Sequence, residues 1–177
     1  RNDQRVARDI LNALIHRPVA VEEADRLLFE CRQHDDSHKL HGETIPYMDG
    51  YSVLTWREPH GVTGHIIPWN YPMQIFGRSV GGALAAGNVC VVKPAEDACL
   101  SLIRVAQLAA EVGFPPGAIN IVTGYGHEVG DALARHPGID HISFTGSPKV
   151  GTIIQQVAAE RHCPVTLELG GKSPQII

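Results

Sequence analysis

Two side chains stand in settings that suit them to chemistry. Asn70 lies in Pro68-Trp69-Asn70-Tyr71-Pro72, where prolines on either side restrict the backbone around a single amide. A side-chain amide held in place donates to a carbonyl oxygen as that oxygen gains negative charge, which is what an oxyanion hole requires. The same residue types also make an ordinary turn. Glu168 lies in Thr166-Leu167-Glu168-Leu169-Gly170-Gly171-Lys172, a carboxylate in an apolar run before paired glycines. Burial there raises its pKa and prepares a general base; an ion pair with Lys172 accounts equally well for the local sequence.

Three other clusters concern binding. Lys93-Pro94-Ala95-Glu96 closes a β-branched run, at the carboxyl edge where open parallel sheets take ligands. Lys93 and Glu96 can both reach the hydroxyls of a ribose there. A carboxylate in that place favours NAD over NADP, because it repels a 2′-phosphate; a surface ion pair is the plainer alternative. Ser143-Phe144-Thr145-Gly146-Ser147-Pro148 reads as a strand, a glycine turn, a Ser N-cap and a Pro at the first helical position. The free N–H groups of such a helix start attract a pyrophosphate, although a capped turn with nothing bound has the same sequence. Gly124-Tyr125-Gly126-His127-Glu128-Val129-Gly130 approaches the dinucleotide fingerprint G-x-G-x-x-G with one residue too many before the last glycine. Alternatively, Gly124 and Gly126 supply positive φ in a turn.

His34, His38 and His41 sit at helical spacings beside Asp35 and Asp36, but nothing nearby supplies the buried second shell that orients metal ligands. They are read as a solvated helix end, and no metal is expected. With 177 residues, 44% of them apolar, and a formal charge of −4, the chain belongs to the globular class and has no surplus of basic residues for nucleic acid. Cysteines at 31, 90, 99 and 163 form no C-x-x-C pair, which points to reduced thiols and a cytoplasmic setting. No apolar run approaches membrane-spanning length. The sequence opens on Arg1 and ends at Ile177 within an apolar run, and a piece of a longer protein is expected.

The elements that must position these residues follow from pattern. Val6, Ile10, Ala13 and Leu14 before Pro18, then Val21, Ala24, Leu28 and Cys31 after it, predict two helices. Residues Thr44 to Glu58 carry β-formers around Asp49-Gly50 and predict a hairpin. From Gly61 onward β-branched runs alternate with amphipathic stretches, which predicts βα units with strands at Val62–Ile67, Val89–Lys93, Ile119–Val122, His141–Phe144 and Val165–Leu169. Helix stripes are Leu102, Val105, Ala106, Ala109 and Val112, ending at Gly113, and Val150, Ile153, Ile154, Val157 and Ala158. The expected fold is α/β: an open parallel Rossmann-like sheet with helices on both faces. Its expected divisions are a helical segment at 1–43, a bridging hairpin at 44–60 and a dinucleotide-binding domain at 61–177.

PWNYP, ALAAGN at 83–88, VVKPAE at 91–96, FTGS at 144–147 and LELGGKSP at 167–174, in this order and spacing, resemble the aldehyde dehydrogenase superfamily, continuously from about Leu40 to Ile177. The resemblance implies NAD(P)-dependent oxidation of an aldehyde to a carboxylic acid, through a cysteine thiohemiacetal and a thioester hydrolysed last. On that pattern Asn70 stabilises the oxyanion, Glu168 activates the hydrolytic water, and Lys93 and Glu96 hold the adenosine ribose. It also implies a cofactor lining of Ile67, Pro68, Trp69, Gly126, Gly130, Phe144, Gly146, Ser147, Leu169 and Gly170. NAD is preferred over NADP, the parent enzyme is a homo-oligomer acting on a small aldehyde, and Glu168 favours the hydrolytic over the acyl-CoA-forming branch.

Two departures stand out. The family's nucleophilic cysteine follows the LELGGK glutamate by a few dozen residues, whereas this chain ends nine residues after Glu168 and its four cysteines do not align with that position. Many relatives carry a lysine nine residues after the PWN asparagine, where this chain has Ser79 beside Arg78. The chain alone is therefore expected to be inactive. A non-catalytic nucleotide-binding module assembling through the hairpin is the alternative. A short-chain reductase is disfavoured by the imperfect glycine motif and by the absence of a Tyr-x-x-x-Lys pair.

Overall fold

The computed structural model describes residues 41–171. The two early helices, Cys31, His34, His38 and Lys172 lie outside the described residues. Strands β1 (Thr44–Ile45) and β2 (Val53–Leu54) pair antiparallel, with Thr44 opposite Leu54. The reversal between them carries Gly50 at φ +84°, a backbone region that favours glycine. Thr55 Oγ1 accepts from the Glu43 amide at 2.8 Å and extends the pairing beyond two-residue strands.

The main sheet is parallel and five-stranded, in the order β5-β4-β3-β6-β7: β3 (Val62–Ile67), β4 (Val89–Pro94), β5 (Ile119–Ile121), β6 (His141–Gly146) and β7 (Val165–Leu169). All five expected strands are present, and three of them, β4, β5 and β6, have shifted ends. β4 runs on to Pro94, which needs no N–H at its last position. β6 runs two residues past Phe144 because Thr145 and Gly146 still pair with Glu168 and Leu169.

Helices cover both faces. On one face α1 (Pro72–Phe76), a π-helical turn (Gly77–Gly81) and α2 (Gly82–Ala85) form a continuous helical run, and α3 (Leu100–Glu111) lies beside it. Ile75, Phe76, Val80, Leu84 and Leu102 bury there against Ile67, Cys90 and Val92. On the other face α4 (Asp131–Arg135) and α5 (Pro148–Ala159) bury Leu133, Ala134, Ile154, Val157 and Ala158 against Val91, Ile142 and Phe144. Val112 does not continue the α3 stripe. It is exposed as the C-cap, and Gly113 at φ +94° has already turned the chain away.

Polar groups sit at the centre of the sheet. Thr63 Oγ1 donates to the Val89 carbonyl at 3.1 Å and contacts His65 Nε2 at 2.9 Å. His65 is 2% exposed, and burial first, then the neighbouring His141, pulls its pKa down to about 4. Cys90 beside it is fully buried, and burial pushes its thiol up to about 12.

Candidate cofactor and catalytic site

The strand order places a crevice. The chain moves from β3 outward through β4 to β5, then returns to the other side of β3 for β6 and β7, so the carboxyl ends of β3 and β6 flank a topological switch point. A cavity of about 520 Å³ lies there. Ile67, Pro68 and Trp69 enter it from the end of β3, Lys93 and Glu96 from the end of β4, and Phe144, Gly146 and Ser147 from the end of β6. Gly126 and Gly130 line it from the turn before α4. Ten of the twelve residues expected to line a cofactor therefore share one cavity. Leu169 and Gly170 do not: Leu169 rests against Gly151 of α5, and the Gly170 amide donates to the Gly146 carbonyl at 3.2 Å.

Lys93 and Glu96 form a pair with only the lysine buried, the glutamate side chain being 43% exposed. The lysine is 3% exposed, and its Nζ lies 2.9 Å from Glu96 Oε2. This hydrogen bond first, then backbone amides of Glu96 and Gly126, holds the Glu96 carboxyl below the usual carboxylate range. The result is an ionised carboxylate, tethered by Lys93, at the cavity wall.

The glycine cluster explains its own departure from the dinucleotide fingerprint. Glu128, Val129 and Gly130 all direct amides to the Tyr125 carbonyl, at 3.2, 2.9 and 3.4 Å, because residues Gly126–Gly130 form a π-helical turn. The extra residue before the last glycine is the one this wider turn takes up. Positive φ is required only at Gly124, at +146°, where a Cβ would also lie 2.3 Å from Val129 Cγ2; Gly126 has no such requirement. Downstream, Ser147 caps α5 as expected, its Oγ accepting from the Val150 amide at 3.4 Å with Pro148 next in the chain. At Gly146 an added Cβ would meet the Phe144 ring at 2.5 Å, so glycine keeps the backbone close beside the cavity.

The two expected catalytic residues are placed differently. Asn70 is exposed, three residues beyond β3, and does not line the switch-point cavity. Glu168 is not buried as expected: its side chain is 58% exposed, because β7 is at the edge of the described sheet and no described element fully covers this face of it. Its carboxylate lies 3.9 Å from the Arg78 guanidinium. Alternation along β6 and β7 puts Thr145, Thr166 and Glu168 on the α1–α2 face, where they line a second cavity of about 380 Å³ with Arg78 and Ser79. Thr145 lines both cavities. Asn70 and Glu168 therefore share the carboxyl edge of the sheet, but Asn70 lines neither of these two cavities. Sequence reasoning gave no role to Thr145 or Arg78; Thr145 sat unremarked inside FTGS. Among the described residues no group of three His, Cys, Asp or Glu side chains is placed to hold a metal ion.

A model of the aldehyde dehydrogenase family matches residues 20–177. Human retinal dehydrogenase 2 is 52% identical over 140 residues, which cover 78% of this chain and 27% of that protein. The crystal structure of a putative aldehyde dehydrogenase from Burkholderia cenocepacia superposes with a TM-score of 0.79 at 73% identity, over 88% of this chain and 32% of that one. The NAD+ complex of an aldehyde dehydrogenase from Bacillus cereus superposes with a TM-score of 0.77 at 38% identity, over 97% of this chain and 38% of that one. Sequence motifs, parallel sheet and switch-point cavity agree with these matches, and the chain belongs to the aldehyde dehydrogenase family.

Proposed function

We propose that this chain is the cofactor-binding part of a cytoplasmic, homo-oligomeric enzyme that oxidises a small aldehyde to a carboxylic acid with NAD. The observation that carries the reading is the buried Lys93 held 2.9 Å from Glu96 in the switch-point cavity. Both reach a ribose there, and the start of α5 offers its amides to the pyrophosphate. Nicotinamide bound in the cavity supplies the hydride acceptor. Tethered and ionised, Glu96 disfavours a 2′-phosphate and so selects NAD over NADP. Asn70 donates its amide to the carbonyl oxygen as charge develops, and Glu168 takes a proton from the water that hydrolyses the acyl group.

The attacking thiol is not among the described cysteines. Cys90 and Cys163 are buried, and burial raises both thiols; Cys99 lines neither cavity. The 177-residue chain should therefore bind NAD without turning over an aldehyde. Calorimetry with NAD and an absorbance assay for NADH test this together: binding without turnover is expected, and NADH production by the chain alone refutes the inactivity. In the enzyme that carries this chain, Asn70→Ala should lower turnover by roughly 100-fold or more, as for loss of an oxyanion donor. Glu168→Gln should give a normal first burst of NADH and then stall; a variant with unslowed deacylation removes Glu168 from the role of base.

Assembly through the β1–β2 hairpin is supported by a specific observation. Tyr47, Met48, Tyr51, Leu54 and Trp56 are all exposed, Trp56 by 80%, and such clustering marks an interaction surface. Trp56→Ser should shift the sedimentation of the enzyme toward smaller species.

A further inference from the structure

We propose that Asp131 reads the base of the cofactor by accepting from the 6-amino group of adenine, so that the enzyme discriminates against a dinucleotide with a carbonyl oxygen in that place. The inference rests on reading the switch-point cavity as the NAD site. The roles given to Asn70 and Glu168 put the nicotinamide towards the ends of β3 and β7. With the ribose at Lys93 and Glu96, the base is left the slot between α4 and α5. Six residues of these helices line it: Asp131 and Ala134 from α4, and Val150, Ile153, Ile154 and Val157 from α5. Five of the six are apolar, and Val150 and Ile153 are left 41% and 44% exposed. A flat ring laid against them takes that apolar surface from water.

Asp131 is the sole polar side chain that α4 or α5 contributes to this wall. Arg135, one turn on in α4, donates through Nε to both of its oxygens, at 3.0 and 2.9 Å. A carboxylate accepts several hydrogen bonds and donates none. One shared N–H group therefore tethers Asp131 and leaves its oxygens able to accept another. The 6-amino group of adenine supplies the donor that matches, whereas a 6-carbonyl sets its lone pairs against the carboxylate and leaves it unpaired. The other titratable side chains of the cavity are engaged elsewhere. Glu96 is tethered to Lys93 at the ribose. His127 stacks its ring on Tyr125 with centroids 5.7 Å apart, and its Nε2 lies 3.7 Å from Glu128.

Titration calorimetry on the enzyme that carries this chain, with NAD and with nicotinamide hypoxanthine dinucleotide, tests the assignment. NAD should bind tighter by about 10- to 100-fold, the range of a hydrogen bond to a charged group. Asp131→Ala should bring that ratio toward one, chiefly by weakening NAD. Asp131→Asn should lower it too, since a carboxamide offers its oxygen to the amine or its N–H to the carbonyl. The asparagine variant keeps the shape of the side chain and decides the matter should the alanine variant fail to fold. Equal affinity of the wild type for the two dinucleotides overturns the proposal and keeps the NAD reading. So does a folded Asp131 variant of either kind that retains the wild-type ratio. Binding of neither dinucleotide by the wild type rejects the cofactor reading as well.

Discussion

Glu96 shows how one residue's surroundings set a specificity. Its hydrogen bond to the buried Lys93, with help from two backbone amides, keeps it ionised and tethered beside the cavity. A second phosphate brought close to it meets a negative charge tethered there by Lys93. Glu96→Gln should therefore raise affinity for NADP by about 10-fold, the scale of one unfavourable charge contact removed, while NAD binding weakens by less. Titration calorimetry with both nucleotides checks this, and unchanged NADP binding would refute the carboxylate's role. Lys93 and Glu96 were legible as a pair from their spacing and strand-end position. The burial of Lys93 was not, because it depends on what the Gly126 turn and the start of α4 bring near it on the Val91 face of the sheet. Glu168 went the other way: an apolar run suggested burial, but alternation on a strand at the edge of the described sheet, on a face that no described element fully covers, leaves the carboxylate in solvent.

At the scale of elements, the turns around the cavity carry more constraint than the helices. Gly124 combines φ +146° with a Cβ position 2.3 Å from Val129 Cγ2. Gly124→Ala should cost about 1–2 kcal/mol or more, since strain and overlap add. It should also weaken NAD binding by displacing Gly126 and Gly130. Chemical denaturation and calorimetry on the same variant measure the two effects, and an unaltered midpoint would show that the turn gives way freely. Strands β3 and β7 were read from sequence to the residue, because β-branched residues and flanking Gly or Pro mark their ends. The π-helical turns at Gly77–Gly81 and Gly126–Gly130 were not. Glycines permit such turns without requiring them, and a G-x-G-x-x-x-G spacing reads as a spoiled fingerprint until the shared Tyr125 carbonyl is seen.

Across the whole molecule, the sheet's centre holds a titratable group that folding keeps neutral. His65 binds its proton near pH 4 when folded and near the ordinary value of about 6.5 when unfolded. Between those values the unfolded chain takes up the proton, so stability falls as pH drops through this window and is level above it. The loss is about 3 kcal/mol at most. His65→Gln should flatten the acid side of a plot of unfolding free energy against pH. His141, lowered first by burial and then by His60, keeps some slope in the variant. An unchanged slope would place the acid sensitivity elsewhere. The parallel sheet and its two covered faces followed from βα alternation. Strand order did not, since no local pattern tells on which side of β3 the returning chain will lie, and that order creates the crevice.

Cys90 gives the folded chain a built-in chemical clock. Its sulfur is shut inside the sheet and is almost never a thiolate at neutral pH, so a water-soluble alkylating reagent must wait for β3 and β4 to part. The rate at which the peptide bearing Cys90 gains mass, at reagent concentrations that saturate Cys99, therefore counts those partings directly. Cofactor bound across the ends of the same strands should slow the count.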